Sequence, residues 1–138
     1  MTGLTEQQKE LKVQKGIRDA EDGLVEAIQR ALDDHSSYGD LEESQFRNLV
    51  RVSDTTESPE VIKNFLLYQV GRDRKWGRGQ DSLAQKIIQN IDNEIRRKAE
   101  KIANDAKFES FKSIWIELIR RYLGYGARYL TYLRKGKS

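Results

Sequence analysis

A single proline, Pro59, interrupts the 138 residues of this chain. No stretch shows the strict apolar–polar alternation of a half-buried strand. Apolar residues recur instead three and four positions apart, as they do on one face of a helix. This pattern predicts an all-α fold, a single-domain bundle of about five helices spanning residues 1–138. A chain of this length can bury one core.

The first helix is expected over about 5–32. Thr5 and Gln8 form a capping-box pair, and Ile17, Ala20, Leu24, Ile28, Ala31 and Leu32 follow at helical spacing. Gly16 and Gly23 inside it each cost about 1 kcal/mol relative to Ala. Residues 35–39 read as a loop. A second helix is expected from near Asp40, with Phe46, Leu49 and Val50 on its buried face. Arg47 and Arg51 lie one turn apart off that face. After a turn at 54–58, Ser58-Pro59-Glu60 supplies an N-cap serine, a proline at the first helical position and an acid in the first turn. Val61, Ile62, Phe65, Leu66 and Val70 read as buried on this third helix, which runs out near Gly71 and Arg72. A fourth helix, capped by Asp81 or Ser82, keeps Leu83, Ile87, Ile91, Ile95 and Ile102 on one face to about Ala103. A break is expected at Asn104 and Asp105. The fifth helix covers about 109–134, with Phe111, Ile114, Trp115, Leu118, Tyr122 and Tyr129 along one arc.

Charge divides unevenly along this scaffold. Residues 1–62 carry 7 Lys and Arg against 14 Asp and Glu, whereas residues 63–138 carry 18 against 8. The formal net charge of +3 therefore combines an acidic front half at −7 with a basic back half at +10. Segregated charge repels itself, so it points to a partner. A basic half suits a polyanion, and opposite charge at the two ends suits head-to-tail stacking of copies. The plainer alternative is a solvated helical protein with uneven charge.

Several classes are excluded or disfavoured. No apolar run approaches the roughly 20 residues that span a bilayer, and the first ten residues lack the order of a signal peptide. The chain has no cysteine, hence no disulfide or thiolate site. A cytoplasmic protein without membrane partners is expected. His35 stands alone in a loop, and a metal needs three or four convergent ligands, which Asp33 and Asp34 beside it do not supply. Asp19, Asp22 and Glu26 share a helix face and read as solvated charge. Gly77-Arg78-Gly79 follows no strand and lacks the phosphate-loop pattern. The expectation is a protein with no catalytic residues, no metal and no cofactor.

Two basic segments stand out as binding candidates. Between Arg72 and Gly79, four cations, a tryptophan and two glycines occupy eight residues. Trp76 there either stacks on a ligand or packs under the loop. On the fifth helix, Arg120, Arg121, Gly124, Arg128 and Lys135 fall on one stripe at about 100° per residue. Gly124 would admit a close backbone approach. Tyr125 and Tyr132 border the stripe, an arrangement suited to base or ribose stacking. The same stripe could merely balance the acidic half. The run Arg96-Arg97-Lys98 reads as a solvated face.

The block Gln45-Phe46-Arg47-Asn48-Leu49-Val50, followed some twenty residues later by Leu67-Tyr68-Gln69-Val70-Gly71-Arg72-Asp73, and then the aromatic helix from Phe111 through Tyr132, resembles the small subunit of the type III-A CRISPR–Cas interference complex, the Csm complex. The likeness covers roughly residues 41–134 and lies in the order and spacing of the motifs. The acidic leader 1–38 and the loop 76–79 depart from the family pattern. The resemblance implies a non-catalytic subunit in antiviral defence. Several copies would stack along the duplex of crRNA and target RNA, in contact with other subunits of the effector. It implies RNA contact by the matching positions Arg47, Arg51, Lys63 and Arg72. Charge and placement add Arg74, Lys75, Arg78, Arg121 and Arg128. A different class remains open, a helical adaptor whose basic face docks on an acidic protein partner.

Overall fold

The computed structural model describes residues 3–136, and among these no residue is in a strand. The chain is an all-α bundle of five helical rods. Helix α1 spans Glu6–Asp33. Its start follows from Thr5, whose side chain accepts the Gln8 amide while the Gln8 side chain accepts the Thr5 amide. Helix α2 spans Glu43–Thr55, beginning later than Asp40 because Glu42 is the N-cap. The Glu42 and Gln45 side chains close a capping box there. Helix α3 spans Pro59–Arg72, capped by Ser58.

Helices α4 (Leu83–Asn90) and α5 (Arg96–Ala106) form one rod, joined through a π-helical turn at Ile91–Ile95. Ser82, rather than Asp81, caps the rod by accepting the Gln85 amide. The break expected at Asn104 and Asp105 is absent. The rod runs on to Ala106 because Ala103 and Ala106 still face the core, and it stops where Lys107 turns left-handed. Helix α6 covers Phe111–Thr131 and ends in a π turn, Tyr132–Gly136.

Helix α6 is the centre of the bundle, packed against α1, α2 and α5. A helix surrounded in this way must be apolar on more than one side. Ile116, Ile119, Leu123, Gly126 and Leu130 are accordingly buried along with Ile114, Trp115, Leu118 and Tyr122. The close-approach glycine is Gly126, where an added Cβ would lie 2.7 Å from both Ile28 and Phe46. Gly124, expected to play that part, faces open space. Of the expected core, Phe46, Leu49, Ile62, Leu66, Ile87, Ile91, Leu118 and Tyr122 are buried, Phe65 is half-buried, and Val61 is 47 % exposed. Val61 falls outside because Ile62, Leu66 and Gln69 define the inner side of α3. No helix among the described residues is long and apolar enough to cross a membrane.

Candidate nucleic-acid interface

The acidic and basic halves of the sequence meet within one molecule. Arg121 on α6 pairs with Glu21 on α1 at 3.1 Å and with Glu117 on its own helix at 2.8 Å. Arg120 reaches across to α2, donating to the carbonyls of Ser53 and Thr56 and pairing with Glu57. Lys86 pairs with Asp34, Lys75 with Glu42 and Lys135 with Glu43. The tyrosines of α6 follow the same rule: Tyr125 donates to Glu21 and Tyr129 to Asp33, each at 2.6 Å. The Asp33 bond lifts the Tyr129 phenol to about 12. Part of the charge segregation is therefore resolved within the chain, by the packing of α6 on α1 and α2 and by the Lys75 and Lys86 pairs.

This pairing redistributes the nine candidate cations. Arg121 belongs to the α1–α6 contact through Glu21, and the Glu117 hydrogen bond on its own helix holds the guanidinium in its charged form. Lys63 is only 15 % exposed at its side chain and pairs with Asp92 at 2.6 Å and Glu60 at 2.8 Å. Burial opposes its charge, yet these two hydrogen bonds win and the pKa rises. Lys75 is tied to Glu42. These three cations hold the fold together before they hold anything else.

The loop after α3 explains two more. Trp76 is fully buried against Phe46, with ring centroids 5.5 Å apart. It is a packing residue, and the loop that looked least core-like is anchored through it. The Trp76 carbonyl accepts the Ala84 amide, and the Lys75 carbonyl accepts the Gly39 amide. Gly77 makes the turn at φ +84°, where a Cβ would collide with the Ser37 carbonyl. With Trp76 turned inward, Arg74 and Arg78 point to solvent.

Six of the nine candidates remain exposed and form no ion pair among the described residues: Arg47, Arg51, Arg72, Arg74, Arg78 and Arg128. Arg51 donates to Asn48 at 2.6 Å. Arg72 and Arg128 lie over Tyr68 and Tyr125, each 5.7 Å from the ring centroid. The hydrogen bond between Gly39 and Lys75 and the ion pair between Lys75 and Glu42 fold the α3–α4 loop onto the start of α2. Arg47, Arg72, Arg74 and Arg78 are thereby brought to one end of the bundle.

Two further cations, outside the nine, stand at this end. Arg134 donates to the Leu41 carbonyl at 2.8 Å, and Lys135 pairs with Glu43 at 3.4 Å. With Arg47, Glu42, Glu43 and Ser44 they line a concavity of about 610 Å³. Lys135 belongs to the stripe read along the fifth helix, whereas the signal of Arg134 is only a cationic last turn, which is ordinary at a helix C-terminus. Thr131 donates to Glu43 and, with Lys135 and Arg47 adding their charge, keeps its carboxyl below the usual range.

His35 is not the unpartnered histidine expected from the sequence. It opens a short 3₁₀ turn, His35–Ser37, and its Nδ1 lies 3.2 Å from the Tyr38 hydroxyl. Asp34 beside it accepts from Ser36 and Lys86, which lower its pKa. Among the described residues no group of three or more His, Asp or Glu is placed to hold a metal ion. The chain matches no protein-family model, no curated protein and no solved structure, so those comparisons do not link it to a Csm subunit.

Proposed function

We propose that this chain is a non-catalytic RNA-binding subunit of a type III-A CRISPR effector, gripping target RNA beside its crRNA through backbone phosphates. The observation that carries the reading is the set of arginines Arg47, Arg72, Arg74 and Arg78 at one end of the bundle, exposed and outside any ion pair. In a molecule where so many cations are paired across helix contacts, guanidinium groups left in water are available for phosphate, which they bind in bidentate fashion. Phosphate contacts carry no sequence information, as a guide-programmed complex requires. Stacking of several copies and docking on other Csm subunits rest on the motif resemblance and on the part of the charge segregation that is not paired within the chain.

The test is binding to mixed-sequence single-stranded RNA over a range of salt. Replacing Arg47, Arg74 and Arg78 together by Ala should weaken binding to all sequences alike. It should also flatten the slope of log affinity against log salt by about 0.7 per lost contact. Because these side chains form no ion pair in the fold, the melting temperature should shift by only a few degrees, about the scale of ordinary surface changes. A folded triple variant with unchanged affinity and slope refutes the assignment. In the adaptor reading the same exposed arginines would dock on an acidic protein partner. That reading gains if the wild-type chain binds no RNA even at low salt.

A further inference from the structure

We infer that Tyr68, held beside Arg72 on the last turns of α3, is a stacking platform for an unpaired nucleobase, so that the chain prefers single-stranded RNA to duplex. This rests on the RNA-binding reading above, with the base supplied by target RNA that is not paired to the crRNA, and names the form of RNA that the site takes.

The position of Tyr68 follows from the helix. Ile62, Leu66 and Gln69 turn inward and fix which side of α3 is core. Tyr68 is left 60 % exposed, more than any other tyrosine, tryptophan or phenylalanine described. Other tyrosines are tied down: Tyr38 donates to the Leu32 carbonyl, Tyr122 accepts from Asn90, and Tyr125 and Tyr129 donate to carboxylates. Tyr132 is exposed but rests against the Tyr129 ring, at 5.8 Å between centroids. The Tyr68 hydroxyl has no partner among the described residues, and the Arg72 guanidinium lies over its ring, 5.7 Å from the centroid. A cation on one side steadies the ring and leaves the rest of it in water.

Arg72, Arg74 and Arg78 follow Tyr68 closely in the chain, all exposed and none paired with an acid. An open aromatic face beside a short track of cations is what sequence-tolerant single-strand binding uses, with phosphates on the cations and a base on the ring. Duplex RNA keeps its bases stacked on each other, so it can use the cations and cannot use Tyr68.

Tyr68→Trp places a reporter at the site, since Trp76 and Trp115 are buried. The fluorescence of this variant should be quenched by single-stranded oligouridylate or oligoadenylate, and far less by a blunt RNA duplex or by inorganic polyphosphate. Tyr68→Leu should lose roughly tenfold in affinity for the single strands, keep its affinity for polyphosphate, and melt like the wild type. Tyr68→Phe should bind as the wild type does. Unquenched fluorescence of the Tyr68→Trp variant with oligonucleotide bound, or a leucine variant with undiminished affinity, overturns the inference and leaves phosphate binding standing. A wild-type chain that binds no RNA removes both.

Discussion

Trp76 and Trp115 show how differently one residue type can be used. Trp115 is buried and donates its indole N–H to the Ile91 carbonyl at 2.8 Å. Trp76 is fully buried too, yet its Nε1 is the one buried side-chain donor without a partner among the described residues. Leaving a buried donor unsatisfied costs about 1–3 kcal/mol, so Trp76 contributes to stability by its volume alone. Trp76→Ala should destabilise by about 3–5 kcal/mol. Trp76→Phe, which removes the orphan donor along with part of the ring, should cost distinctly less. Urea denaturation measures both. A phenylalanine variant as unstable as the alanine variant would show that the indole N–H is satisfied after all.

Within the α4–α5 rod, the π turn at Ile91–Ile95 is the irregular feature. Such turns disturb the backbone ladder locally, and here the Ile91 carbonyl is taken by the indole of α6. Trp115 also lies 5.3 Å from the Arg96 guanidinium, the first residue after the turn. Trp115→Phe should remove the indole's hydrogen bond to that carbonyl and cost about 0.5–1.5 kcal/mol from the lost bond alone. It should therefore destabilise more than Trp76→Phe, and amide exchange should quicken around 91–96 before it does in α1. Equal stability for the two phenylalanine variants would argue that the π turn does not depend on Trp115.

For the molecule as one body, the contacts between the acidic and basic halves make stability depend on pH. Asp34 is held below its ordinary 3.8 by the hydrogen bond from Ser36, then by Lys86, and Glu43 below its ordinary 4.5 by Thr131, then by Lys135. A carboxyl with a depressed folded pKa adds stability that is complete above its unfolded value and is lost as pH falls through the folded one. The melting temperature should therefore hold steady down to about pH 5 and drop below about pH 4. The double variant Asp34→Asn with Glu43→Gln should melt lower near neutrality and show a shallower acid drop. A drop as steep as that of the wild type would place the acid sensitivity in other pairs.

Local chemistry along the chain is enough to say where helices begin and which residues face inward along each. Thr5, Ser58 and Ser82 cap α1, α3 and α4 because a short side-chain oxygen can satisfy an otherwise free amide from within a few residues. Ile17 through Leu32, and Leu83 through Ile102, follow one face because the helical period is local. Contacts between residues far apart in the chain become legible only once the helices are packed. Trp76 read as a loop aromatic because nothing near it in sequence says that Phe46 will lie against it. Lys63 and Arg121 each have a neighbour on the same helix, Glu60 and Glu117, but the partners that fix them in the fold, Asp92 and Glu21, stand 29 and 100 residues away. Gly124 and Gly126 lie about 200° apart on a helical wheel, but which of the two must be a glycine is decided only when α1 and α2 arrive on one side of α6. Opposite charges in the two halves pointed outward to a partner when read along the chain. In three dimensions several of them face each other, because packing α6 against α1 and α2 brings Arg121 to Glu21 and Arg120 to Glu57.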